Sequence, residues 1–124
     1  MSWWEWLLIA AAGALGAPLR YVIDSLISDR AGGVFPVGTM AVNLSGSFLL
    51  GVLTGLVLYH GFGDIPKRVV GTGLLGAYTT FSTFSLETVA LAEAGESGLA
   101  VRNAVYSVLA GSLAAAAGWG LAAL

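Results

Sequence analysis

Cysteine is absent from the chain, which excludes disulfides, thiolate metal sites and cysteine nucleophiles at once. Charge is nearly as scarce. Charged side chains make up 10% of the residues, against about 25% in a soluble domain. Five basic residues against seven acidic ones leave no basic stripe to neutralise phosphates, so no nucleic-acid partner is expected. The single histidine, His60, falls beside an expected loop and reads as a solvated imidazole rather than a metal ligand. No basic n-region precedes the first apolar run, and Trp3, Trp4 and Trp6 cluster there instead. That start reads as an aromatic anchor at the membrane interface, not as a cleaved leader.

What remains is apolar. Hydrophobic residues form 57% of the chain and the mean hydropathy is +0.87, which leaves little room for a soluble domain beside membrane spans. A crossing helix needs about 20 mostly apolar residues. Four stretches qualify, at about residues 3–27, 36–59, 67–93 and 99–121. Loop signals separate them at Ser28 to Gly33, at Gly61 to Pro66 and at Gly95 to Gly98, with Pro66 suited to a first helical position. The expected fold is an all-α membrane protein, one transmembrane domain over residues 1–124.

Four spans place both termini on one side, with Lys67 and Arg68. The other side holds Arg30 and Arg102. Two basic residues against two give the positive-inside rule nothing to act on, so insertion in both orientations is open beside a single topology. Four short helices fill their own interior. A conduction path therefore belongs between subunits, and a two-fold homodimer is expected.

The stretch from Gly73 to Glu87 is poor helix material inside an apolar span. It gathers Gly73, Gly76, Thr79, Thr80, Phe81, Ser82, Thr83 and Phe84 in quick succession. Unwound backbone at membrane depth survives only when buried in protein or lining a polar cavity. Transport proteins use such broken helices as ion sites, because freed carbonyls and N–H groups become ligands. This segment reads as a site.

In the second span, Thr39, Asn43, Ser47, Gly51 and Gly55 recur every fourth residue and share one face. Close helix packing accounts for Ser47, Gly51 and Gly55. It does not account for Asn43, whose amide either donates to an anion or bonds a neighbouring helix. Phe81 and Phe84 share a face where the third helix resumes; they are packing aromatics, or ring edges lining an anion path. Thr79, Thr80, Ser82 and Thr83 carry hydroxyls that suit an ion of either sign. Arg20 precedes Asp24 by four residues, which fits an intrahelical pair or an electropositive vestibule. Glu87 must face protein or water, as a proton carrier, a hydroxyl-orienting group or a structural cap. The fourth span is mostly small residues that read as a packing face. Tyr106, Ser107 and Gly111 stand out in it, and Ser112 is a candidate pathway hydroxyl.

Three blocks together are more specific than any one. Gly13-Ala14-Leu15-Gly16-Ala17 with Arg20-Tyr21, then Gly38-Thr39 with Val42-Asn43-Leu44 and Gly46, then Gly76 through Ser85 with Glu87, closely resemble the CrcB/Fluc fluoride channels in order and spacing. The run from Thr79 to Ser85 is the most diagnostic. The resemblance implies an antiparallel, dual-topology dimer with two fluoride pores and a third helix broken in mid-membrane. It implies a structural Na+ at the dimer centre, held by the carbonyls of Gly76 and Thr79. It assigns Asn43, Phe81 and Phe84 to the pore, Arg20 to the vestibule, and Ser82, Thr83, Glu87 and Ser112 to a hydroxyl and carboxylate track. Departures stand at Ala77 and Tyr78, where relatives favour smaller or aliphatic residues, and at Val108, where some carry serine. Asp24 beside Arg20 bears on the vestibule's field.

The expectation is a passive fluoride channel of the cell membrane, not an enzyme, conferring fluoride resistance as a homodimer or paired with a paralogue. The alternatives are a small dual-topology multidrug/proton antiporter and an assembly subunit of a larger membrane complex.

Overall fold

The computed structural model describes all 124 residues and contains only helices and short connections. Helix α1 spans Trp3–Ala31 and α2 spans Val37–His60. Helix α3 is built of Asp64–Pro66, Lys67–Leu75 and Gly76–Tyr78 end to end. Helix α4 spans Phe81–Glu93 and α5 spans Ser97–Ala122. Helices α1, α2 and α5 are each long and apolar enough to cross a membrane. Only 18 of 124 residues are buried, while Leu15, Leu58, Leu86 and Leu113 lie exposed on the outer faces. Such an apolar exterior suits lipid, and the protein is a multi-pass membrane protein.

Several boundaries differ from those expected. Helix α1 runs past Ile27 and through part of the supposed loop, to Ala31. Ser28 Oγ donates to the Asp24 carboxylate at 3.1 Å on the helix surface, so this polar turn satisfies itself without unwinding. Gly32, with φ 64°, then ends the helix. Pro36 caps α2 instead of opening it, and Pro66 is third in its helix, still among first-turn positions that lack an N–H partner. His60 is exposed at the edge of the connection, as expected, but it has a partner. It is the last residue of α2, and its Nε2 donates to the Ala122 carbonyl at 2.8 Å, tying the end of α2 to the end of α5.

Helices α2 and α5 form the tightest pair, and glycines allow it. A Cβ on Gly51 would run into the Ala115 carbonyl, and one on Gly118 into the Phe48 carbonyl. A Cβ on Gly55 would come within 2.6 Å of the Ala122 methyl. Without a hydrophobic drive between helices in lipid, such backbone approach supplies the packing. Ser47, on the same face as Gly51 and Gly55, has its Oγ 3.7 Å from where a Cβ on Gly111 of α5 would stand, and it also lines a groove.

Helix α1 crosses α3 in the same way. A Cβ on Gly16 would strike the Leu74 carbonyl, and one on Gly73 would lie 2.7 Å from the Ile9 carbonyl. Ala77 is accommodated because its methyl rests over Gly13 and Gly16. Tyr78 belongs to the small core with Val42 and Leu75, and its hydroxyl lies 2.9 Å from Ser45 Oγ. At the surface end of α3, Arg68 sits 3.7 Å from Glu5 and 3.9 Å from Asp64.

Candidate functional site

Irregularity in the third span begins earlier and ends more abruptly than composition suggests. From Lys67 to Leu75 the turns are widened to i→i+5 bonding, and the Gly76 N–H reaches back to the Gly71 carbonyl. Widened turns of this kind are frequent at functional sites. Helical geometry then holds through Tyr78. The chain leaves it for two residues only, Thr79 (φ −78°, ψ 159°) and Thr80 (φ −147°, ψ 124°), before α4 starts at Phe81.

Asn43 of α2 clamps this interruption. Its Oδ1 accepts from the Thr80 N–H at 2.8 Å, and its Nδ2 donates to the Thr80 carbonyl at 2.8 Å. The amide thus imitates a backbone partner for a residue that has lost its helical ones. A primary amide has two N–H donors. One is used here. Of the two readings of Asn43, the bond to a neighbouring segment is the one observed.

Thr80 also caps α4. Its Oγ1 accepts from the Thr83 N–H at 3.1 Å and donates to Thr83 Oγ1 at 3.0 Å, with Ser82 Oγ 3.3 Å away. Threonine at an N-cap satisfies one orphan donor of the first turn. The Thr79 hydroxyl instead donates back to the Leu75 carbonyl at 2.9 Å. A Cβ on Gly46 would collide with the Thr79 methyl, so glycine lets the interruption lie against α2.

Arg20 makes no ion pair with Asp24. Its Nη1 donates to the Thr79 carbonyl at 3.1 Å, carrying a permanent positive charge to the interruption, while Asp24 takes the Ser28 hydroxyl and packs on Gly38. The Phe81 and Phe84 rings lie 5.7 Å apart, tilted by 52°. Phe84 is partly buried, whereas Phe81 is 79% exposed.

A groove of about 330 Å³ brings Asn43, Ser47, Gly76, Thr79, Phe81 and Phe84 together, with Ser107 and Val108 of α5 on its wall. Other candidates stand apart from it. Glu87 lines a second cavity of about 360 Å³, under the α1–α2 connection at Gly32 to Pro36. Its Oε1 accepts from Thr39 Oγ1 at 2.8 Å, and its Oε2 is buried without a partner. Ser82 lies exposed and Thr83 partly buried in the first turn of α4, on neither lining, and Ser112 is exposed, outside both cavities.

The family model described as CrcB-like protein, Camphor Resistance (CrcB), matches residues 7–119. The chain belongs to this family. Among its relatives, the fluoride-specific ion channel FluC 1 of Streptomyces avermitilis is 48% identical over 114 residues, covering 92% of each chain. FluC 1 of Symbiobacterium thermophilum is 47% identical over 122 residues, 94% of this chain and 98% of its own. FluC of Rhizobium meliloti is 45% identical over 117 residues, 93% of each. All three are named as ion channels, not as enzymes.

In this CrcB-like chain, Asn103 is the residue that sequence reasoning missed. It is 1% exposed, and its Nδ2 donates to Thr88 Oγ1 at 2.8 Å. The signal was the same as for Asn43, an amide inside an apolar span. The small residues around it read as a packing face and hid it. Carbonyls free to hold a cation are present as well. The Thr80 N–H, which would bond the Gly76 carbonyl in a continuous helix, is turned to Asn43. Gly76 itself is exposed. The Thr79 carbonyl accepts one N–H from Arg20 and keeps its second lone pair. Carbonyl oxygens are hard donors, of the type that suits hard cations, Na+ among them.

Proposed function

We propose that the chain is one subunit of a fluoride-selective channel that lets cytoplasmic fluoride leave passively and so confers resistance to it. One observation carries this reading: an interrupted third helix clamped by Asn43, beside a paired Phe81 and Phe84 in one groove. The naming of the relatives as fluoride-specific channels supports it independently.

The interruption lies in mid-membrane and sorts charge by its two ends. The C-terminal end of α3 presents carbonyls and suits a cation. The N-terminal end of α4 presents N–H groups and suits an anion. Fluoride is small and hard, and its dehydration must be offset within a narrow path. The second N–H of Asn43 donates to it, the positive edges of Phe81 and Phe84 flank it, and the Ser82 and Thr83 hydroxyls continue the path. Arg20, bonded to the Thr79 carbonyl, raises the local anion concentration beside the interruption. Glu87 and Thr39 serve the far end, in the second cavity, and Ser112 completes the track only where a second subunit covers it. The driving force is the fluoride gradient plus about 2.3 kcal/mol per charge per 100 mV of membrane potential.

Two copies in antiparallel, dual-topology arrangement complete the site and give two pores. The exposure of Phe81 and Gly76 supports this, since both are left open by a single subunit. At the dimer centre, Gly76 and Thr79 carbonyls would hold Na+, which when bound supplies a fixed positive charge that joins the two interruptions. A paralogue can take the place of the second copy.

The test is ion efflux from liposomes holding the purified protein, under a potassium gradient with valinomycin. Fast fluoride efflux with chloride retained is expected. Equal passage of both ions, or proton-coupled transport of a lipophilic cation, overturns the assignment. Silence for both ions overturns the homodimer, and silence persisting with a co-expressed paralogue overturns the channel.

A further inference from the structure

One partly buried polar chain has no part in the clamp or the cap. Ser107 Oγ donates to Asn103 Oδ1 at 3.4 Å, Asn103 Nδ2 donates to Thr88 Oγ1 at 2.8 Å, and Thr88 Oγ1 donates to the Phe84 carbonyl at 2.7 Å. It starts on the groove wall and ends on the backbone of a groove phenylalanine. All its donors point the same way.

We propose that Ser107 is a further hydroxyl that contacts the anion in the groove, and that Asn103 is its positioning residue, acting with Thr88 on Phe84. This rests on the fluoride reading above.

Asn103 sits at the centre, 1% exposed, where an amide with an unmet N–H or C=O would be costly. Its strong bond, at 2.8 Å, goes to Thr88 and fixes the amide plane across the α4–α5 contact. Its bond from Ser107 is loose. At 3.4 Å it lies beyond the usual 2.5–3.0 Å for O–H···O. Between ions the hydroxyl is held on Asn103 Oδ1, and when an anion enters the groove the stronger, charge-assisted bond it offers outweighs the long one given up. Val108, the next residue, also lines the groove but brings no hydroxyl. At the other end, the i→i−4 bond from Thr88 to the Phe84 carbonyl is of a type that bends helices slightly. It ties Thr88 to the turn that carries Phe84, whose ring lies 5.7 Å from that of Phe81.

The test uses fluoride and chloride efflux from liposomes for wild type, Ser107→Ala, Ser107→Thr, Asn103→Leu and the double variant Ser107→Ala/Asn103→Leu. Loss of a hydrogen bond to an ion is expected to slow fluoride about tenfold in Ser107→Ala. Ser107→Thr, which keeps a hydroxyl, is expected to stay within about twofold of wild type. The double variant is expected to be no slower than its slower parent, because both act on one chain. A purely structural role predicts no rescue by threonine and additive losses. Should Asn103→Leu fail to fold, the Ser107 pair still decides. Wild-type flux in Ser107→Ala overturns this inference alone, whereas a wild type that passes no fluoride overturns the function on which it rests.

Discussion

Replacing Asn43 by leucine removes the partner of both backbone groups of Thr80, a residue only 8% exposed. Each backbone group left buried and unpaired costs about 1–3 kcal/mol. Two such groups give about 2–6 kcal/mol, a large share of a domain's stability of about 5–15 kcal/mol. Thr80 also carries the cap of α4, so the loss spreads to the first turn of that helix. Asn43→Asp divides the effect. An Asp carboxylate still accepts from the Thr80 N–H but cannot donate to its carbonyl, so about half the destabilisation is expected. That variant also sets a negative charge in the groove and removes the second amide donor, so fluoride flux should vanish although the protein folds. Thermal unfolding in detergent, read beside liposome efflux, separates the two effects. A loss of about 10 °C is expected for leucine, and roughly half of that for aspartate. An unchanged midpoint in both variants would refute the clamp. Wild-type flux in a folded Asn43→Asp protein would refute the donor.

Phe81→Ile and Phe84→Ile should each slow fluoride efflux strongly while the unfolding midpoint of the protein stays within a few degrees; normal flux would make the rings packing groups only. Gly118→Ala should destabilise by about 1–3 kcal/mol, as expected for overpacking, because the new methyl meets the Phe48 carbonyl. Gly120→Ala on the same helix meets nothing within 4 Å and should be neutral or slightly stabilising, so equal effects of the two would contradict the packing of α2 on α5. Protein purified without sodium should lose fluoride flux or dimer stability and regain it on adding NaCl rather than choline chloride. Indifference to sodium would remove the metal from Gly76 and Thr79.

Much of the membrane architecture was legible because it rests on local properties. Apolar length marks spans, and glycine at four-residue spacing marks where backbones approach. Gly51 and Gly55 behave as that rule expects, against Ala115 and Ala122. The misjudged boundaries have a common cause. Ser28 and His60 look like loop residues until their partners, Asp24 and the Ala122 carbonyl, are known. The site was legible in outline only. Composition marks fifteen residues from Gly73 to Glu87 as irregular, yet the chain leaves helical geometry at Thr79 and Thr80 alone. Asn103 went unread because small neighbours concealed an amide that carries the same penalty as Asn43.

What the sequence by itself determined is therefore the solvent and the inventory: a chain too apolar for water, with amides, hydroxyls, one intramembrane arginine and two phenylalanines in a fixed order. Only the tertiary structure decided how they pair. Arg20 lies four residues from Asp24 along one helix, yet it reaches the Thr79 carbonyl, fifty-nine residues away. Asn43 closes on Thr80 and Asn103 on Thr88, and Glu87 parts from the phenylalanines into its own cavity. The physical reason is that a polar group in an apolar solvent must find a partner somewhere. Its cost is set by residue type, which sequence shows, but its partner is set by which helices lie side by side.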